Sequence, residues 1–568
     1  MQTAANVDTN RATAPARFRL PTPWVDVRNL YIIIAGCVAL LVLLPPEHEY
    51  PIIDDWIYAG SVQHQVATGA FAMPPQSQAN LVGLTLWGTL WVRLFGFSYT
   101  TLTYATLALA LLGLLAFYGV ARRVGTLPNA ALLGTGLLAV NPLFLHLSAS
   151  FMTDVPFLAL VLVACYGYVR GLQRGQPGWL LAAGVCAGWG FLIRQFAVLV
   201  PAGFFGYLLL AGLPARRWRW REMLLVAGPP ALIVLGWAIW SHETPPTPFT
   251  TAADQRRAAF VLKPAWLEVF LLRTLTILPL TALSAWAAII LPRRRWWLVA
   301  LWAMLVAGAA WIAGSLSPIW IANTQSPFTF RLGPLALDFP QQTYPFGSEG
   351  SILREGGIDF FQYRQAPIWS PEAWHLLFLL GLILGIILLA KITDSLIDWL
   401  REWWQGRPLS PLGGVYLAGL ATFGVTLALG GDFYDRYLLG FVAFVILFVG
   451  RGAAGWRRRA WAYTLVVFAL WAGFSVLLKA DSIDHDNARW QAGHWLAARA
   501  GSVQMGFDWN NVNPAGNGTY EITDVPIAGF RTEAQFPYTS RLSGFSTRYV
   551  LAQARADLPP LPPPRSGP

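Results

Sequence analysis

Asp54-Asp55-Trp56-Ile57-Tyr58-Ala59 stands just past an uncharged apolar run, Leu30–Leu44. The run reads as a first membrane helix, and the acidic pair falls at its water edge. Ionisable groups beside hydrocarbon are costly to keep. Two adjacent carboxylates at such a rim therefore mark a place where charge is used. A single Asp before a short helix is enough to cap its free N–H groups, so capping accounts for one member of the pair and is silent on the other.

Outward from this stretch the chain is mostly apolar. Of its 568 residues, 55% are hydrophobic and 12% charged, with 28 Trp. Long apolar runs recur, as in a polytopic membrane protein. The net charge of +11 sits mainly in short loops between those runs, the pattern that orients helices. It gives no clustered soluble basic face for nucleic acid. Cys37, Cys165 and Cys186 all fall in apolar runs and read as packing residues, not as a disulfide framework or metal cluster. The seven histidines show no metal spacing; His485 lies among Asp481, Asp484 and Asp486 on what reads as a solvated turn.

Tracing apolar runs against Arg clusters predicts an all-α polytopic protein of about thirteen membrane helices. Residues 1–29, with Arg11, Arg17, Arg19 and Arg28, form a cytoplasmic tail without a cleavable signal. Residues 30–479 form the membrane domain. Its spans fall at 30–45, 100–121, 127–145, 154–169, two short helices within 179–213, 222–240, 265–291, 296–316, 372–391, 412–430, 438–450 and 460–478. Outer loops occupy 46–98, with short helices near 55–68 and 79–95, and 317–371. Arg194 interrupts the 179–213 run and belongs at the outer hairpin, since a lone Arg in lipid is disfavoured. Residues 480–557 read as a small extracytoplasmic α/β domain, with a helix from Asp486 to Ala500 and strands near 503–507, 519–523 and 549–552. Residues 558–568 form a Pro-rich disordered tail. The expected location is a bacterial-type inner or plasma membrane.

Three groups of candidate site residues share the outer side. Asp54 and Asp55 come first: a carboxylate in a partly desolvated cleft can take a proton from an attacking hydroxyl. Asp154 comes second, in Thr153-Asp154-Val155-Pro156, where either Thr153 or Asp154 could cap the helix that follows. Basic residues come third: Arg194, Arg436 and the loop residues Arg331, Arg354 and Arg364. A departing anion needs a cationic partner, although Arg194 could equally pair internally with Asp154.

These stretches carry a family resemblance. Asp54 to Ala59, with Thr68-Gly69, resembles the first-loop motif of GT-C glycosyltransferases of the protein O-mannosyltransferase and lipid A aminoarabinose transferase group. Thr153-Asp154-Val155-Pro156 resembles the group's second acidic motif. Gly188-Trp189-Gly190-Phe191-Leu192-Ile193-Arg194 is similar to its Gly-rich segment, and Arg436-Tyr437-Leu438-Leu439 to its late Arg-Tyr motif. Where the group often has His-Pro-Pro or Lys-Pro-Pro, this chain reads Gln76-Ser77-Gln78-Ala79-Asn80-Leu81. The resemblance implies a GT-C-like fold and inverting transfer from a polyprenyl-phosphate-sugar donor to a hydroxyl of a protein, lipid or glycan. It implies Asp54 as base, Asp55 and Asp154 as orienting groups, and Tyr58, Arg194, Arg436 and Tyr437 at the substrate. A divalent cation, Mg or Mn, would fall to Asp54, Asp55 and Asp154 if one is used.

Two other classes compete. A transporter would place polar groups near the bilayer midplane and often repeat itself in two halves; here the acids lie at a rim and no repeat is visible. A non-catalytic GT-C-like subunit of a membrane assembly would keep the helices and lose the chemistry.

Overall fold

The computed structural model describes residues 23–213, 218–243, 295–316, 329–338, 371–405, 410–428, 439–450, 458–500 and 520–561, apart from positions 53, 75, 76, 78, 333, 334, 524, 525, 527 and 543. The helices of the first half are α1 (Pro23–Leu43), α2 (Asp55–Thr68), α3 (Val82–Phe95), α4 (Tyr99–Arg123), α5 (Pro128–Ala139), α6 (Pro142–Ser148), α7 (Asp154–Arg174), α8 (Pro177–Ile193), α9 (Leu199–Gly212) and α10 (Trp220–Glu243). In the second half come α11 (Trp297–Leu316), α12 (Pro371–Trp404), α13 (Leu412–Ala428), α14 (Leu439–Gly450) and α15 (Arg458–Ala500).

The expected count of about thirteen spans is not met. Among the described residues six helices are long and apolar enough to cross a membrane: Trp24–Leu43, Tyr99–Arg123, Asp154–Arg174, Gln195–Gly212, Trp220–Glu243 and Trp461–Arg499. A seventh is counted if α5 and α6, bent by 62° at a short break, form one span. Several runs taken as spans form helices that are too short. Pro177–Ile193, Leu412–Thr422 and Leu439–Gly450 are apolar helices of only 10–17 residues each. At 1.5 Å per residue such helices fall short of a hydrocarbon core of about 30 Å. The expected span at 265–291 lies outside the described residues. The chain is thus an integral membrane protein with six or seven candidate spans among the described residues.

Helix boundaries follow local chemistry. Pro128, Pro142 and Pro177 open α5, α6 and α8, where a missing N–H costs nothing. The Asn141 side chain accepts from the N–H groups of Leu143 and Phe144 and so stops α5 from running into α6. Helix α7 is the centre of the bundle and packs on α4 and α8. Small residues allow this: a Cβ on Gly113 of α4 would sit 3.0 Å from the Cα of Ala159 on α7. Helix α1, by contrast, exposes Tyr31, Ile32, Val38 and Val42 on its outward face, as a lipid-facing helix does.

Helix α15 corrects a second expectation. In place of a membrane helix ending near 478 and a separate helix from Asp486, one helix runs for 43 residues. That is roughly 65 Å, about twice the hydrocarbon thickness, so one part of it projects past the bundle. A three-stranded antiparallel sheet packs on it: β3 (Tyr520–Thr523), β4 (Phe530–Ser540) and β5 (Ser546–Arg555), in the order β3-β5-β4. Strand β4 was not expected from the sequence, and the predicted strand at 503–507 lies outside the described residues. The C-terminal unit is a β-sheet extension of a helical protein. His485 is buried at 1% exposure, 3.2 Å from Asp486 and edge-on to Tyr538, where the sequence suggested a solvated turn.

Candidate active site

Asp54 occupies the N-cap position of α2, yet its side chain makes no capping hydrogen bond. It is half-buried. Asp55 faces the other way. It is 1% exposed and accepts hydrogen bonds from the N–H of Ile52 at 2.7 Å and of Phe151 at 3.5 Å. Burial, with the neighbouring Asp54 charge, pushes its carboxyl well above the usual carboxylate range, against the pull of those amides. The pair is therefore divided: Asp54 keeps a partly exposed carboxylate, while Asp55 is built into the backbone.

Phe151 belongs to the short connection between α6 and α7, and that connection leads into Asp154, the first residue of α7. Thr153 and Asp154 were both read as potential caps. Instead the Thr153 hydroxyl accepts from Arg194 Nε at 2.7 Å, and Arg194 Nη1 lies 2.9 Å from Asp154 Oδ1. Asp154 is buried and Arg194 half-buried. Arg194 sits where α8 ends; its backbone is extended and a 3-10 turn, Gln195–Val198, leads into α9. This is the break at Arg194 that the sequence required.

Asn80 and Leu81 take part in a way no motif announced. Asn80 Nδ2 donates to the carbonyl of Phe191 at 2.7 Å, and the Leu81 N–H to that of Ile193 at 3.4 Å. They satisfy carbonyls at the end of α8 that the helix leaves open. Leu81 adopts a left-handed backbone, φ 58°, which non-glycine residues rarely hold. Asn80 and Leu81 thus buttress the end of α8 beside Arg194.

The loop before Asp54 is fixed from two sides. His48 is placed between the carbonyls of Tyr50, at 2.7 Å, and Ala149, at 3.2 Å. Burial pushes its imidazole below the ordinary range. The Tyr50 ring stacks on Trp490 of α15, with centroids 5.8 Å apart. Tyr58, expected at the substrate, is buried in α2 at 7% exposure. Arg436, Tyr437, Arg354 and Arg364 lie outside the described residues, and Arg331 falls on a short strand, β1 (Thr329–Leu332), paired with β2 (Leu335–Asp338).

Among the described residues no three His, Cys, Asp or Glu side chains are grouped to hold a metal ion. Asp55 is spent on backbone amides and Asp154 on Arg194, so this trio does not fit as a cation site.

Residues 84–240 match the family model described as dolichyl-phosphate-mannose-protein mannosyltransferase. The stretch contains Asp154 and Arg194 and begins after the Asp54 loop. No curated protein matches the chain. Solved structures overlap at low identity. The Pmt1-Pmt2 protein O-mannosyltransferase complex of S. cerevisiae, bound to its sugar donor, is 16% identical with a TM-score of 0.31, over 38% of this chain and 34% of that one. The chain thus spans about a third of that relative's length. ArnT from Cupriavidus metallidurans bound to undecaprenyl phosphate is 14% identical with a TM-score of 0.40, over 93% of this chain and 98% of ArnT. Its apo form is also 14% identical, with a TM-score of 0.36.

Proposed function

We propose that this protein is a GT-C-like membrane glycosyltransferase that moves a sugar from a polyprenyl-phosphate-sugar donor to a hydroxyl acceptor, with inversion. The observation that carries the reading is the family-model match over 84–240. It spans the Asp154–Arg194 pair, and the connection ending at Asp154 also holds Asp55 through Phe151. Asp54, whose carboxylate makes no cap, is the base in this reading. It takes the acceptor hydroxyl proton as the oxygen attacks the anomeric carbon. The bond from that carbon to the phosphate oxygen breaks, and its electron pair leaves with the lipid phosphate. Asp55 sets the direction of Asp54. Arg194, already committed to Thr153 and Asp154, acts by fixing the start of α7. Arg436 and Tyr437 stay proposed for the departing phosphate.

The test is transfer by purified protein in lipid from a radiolabelled panel of polyprenyl-phosphate hexoses, mannose included, with host membranes as acceptor. Product formed by wild type and lost in a folded Asp54→Asn variant is the expected result. No transfer from any donor by wild type would move the assignment to an assembly or transport role.

A further inference from the structure

Helix α15 carries a buried polar stripe where it leaves the bundle. Ser475, Lys479, Ser482 and Arg489 are all at least nine-tenths buried and recur at helical spacing, on one face. The stripe meets α6. Lys479 Nζ lies 3.3 Å from His146 Nδ1, and both side chains are buried, at 3% and 0% exposure. A lysine ammonium has donors only, so the ring nitrogen facing it accepts.

His146 opens the segment that organises the whole candidate site. Within 146–154, the carbonyl of Ala149 meets His48, the N–H of Phe151 meets Asp55, the hydroxyl of Thr153 meets Arg194, and Asp154 pairs with Arg194. An anchor on His146 therefore sets the position of every one of these groups. That anchor comes from a residue 333 positions away in sequence, on the helix that also carries the C-terminal sheet.

We propose that Lys479 is a positioning residue for sugar transfer: by holding His146 it fixes segment 146–154, and with it Asp55 and the Asp154–Arg194 pair, so that α15 is part of the site and not a tether for the sheet. This rests on the transferase reading above. Lys479 itself touches no substrate in this account. A buried charge kept against its desolvation cost needs a use beyond packing, since apolar replacements of buried pairs are often as stable.

The test compares full-length wild type, Lys479→Arg, Lys479→Met and the double variant Lys479→Met/His146→Leu. Transfer rate, donor KM, thermal midpoint in detergent and hydrogen exchange over peptides covering 146–154 are read for each. Lys479→Met is expected to lower kcat about 100-fold, the scale of a small misplacement of reacting groups, with donor KM within about two-fold. Exchange over 146–154 should rise, and Lys479→Arg should retain most of the rate. The double variant should regain the thermal midpoint but not the rate. Recovery of both together would make the contact purely structural and overturn the proposal. If wild type transfers nothing, the transferase reading fails on its own, and exchange decides the anchor: unchanged protection over 146–154 in Lys479→Met overturns it.

Discussion

Arg194 and Asp154 meet at 2.9 Å across the gap between the end of α8 and the start of α7. The same guanidinium reaches the Thr153 hydroxyl, so one fork ties two successive residues. Removing one partner of a buried pair leaves a charge in a poor solvent. Asp154→Asn is expected to cost about 3–5 kcal/mol. Arg194→Lys keeps the charge but cannot span both contacts, and should fall between wild type and Asp154→Asn. Thermal midpoints of the three proteins in one detergent check the order; a wild-type midpoint for Asp154→Asn would show that the pair contributes nothing.

Gly203 brings α9 against α13 at the backbone. A Cβ there would collide with the amide nitrogen of Ala418 and stand 2.6 Å from its Cα. Backbone atoms cannot swing aside as a side chain would, so Gly203→Ala must part the helices, at about 1–3 kcal/mol. Gly36 on α1 has nothing within 4 Å of the same position. Gly36→Ala is the matched control and should be neutral or slightly stabilising. Equal midpoints for the two variants would rule out the close approach.

The parts of this molecule that were readable in the sequence are those fixed by local rules. Arg194 had to break a helix because lipid excludes it, and it does. The acidic pair had to flank a short helix, and α2 begins at Asp55. The span count failed because an apolar run has the same composition whether it crosses a bilayer or stops inside the bundle. Only length and neighbours separate the two, as α14, buried at every position but Gly440, illustrates. Lys479 and His146 were invisible for another reason: no spacing rule links residues so far apart, and a lysine after an apolar run reads as a helix end. His485 looked solvated because its neighbours are acidic, yet the sheet covers it.

The sheet is held to α15 at the turn between β4 and β5. Asp481 accepts from the N–H of Arg541 at 2.6 Å and of Leu542 at 3.5 Å, and the Arg541 guanidinium pairs with Asp484. Hydrogen bonds to a charged group contribute about 1.5–3 kcal/mol. Asp481→Ala should therefore loosen the hairpin without unfolding the bundle. Limited proteolysis is expected to cut near Gly544 and Phe545 sooner in the variant, with the thermal midpoint of the membrane portion unchanged. Equal cutting rates would mean that the turn is held by the strands alone.

Asp55 gives the protein a pH dependence of unusual sign. Its carboxyl holds a proton more tightly in the folded chain than in the unfolded one, because burial dominates. The folded state then binds more protons over the interval between the two pKa values, and stability falls as pH rises through it. The contribution is fully present on the acid side of the ordinary carboxylate range, about pH 4, and declines toward neutrality. His48 acts in the opposite sense: its lowered pKa means that its contribution grows as pH rises. The wild-type profile is thus a sum, and the difference between wild type and Asp55→Asn isolates the carboxyl. Asn keeps an acceptor for the Ile52 N–H and cannot ionise. The thermal midpoint of Asp55→Asn is expected to gain on wild type steadily between about pH 4 and pH 7. Parallel profiles across that window would show that Asp55 is ionised in the folded protein, and would return it to the role of a second reactive carboxylate beside Asp54.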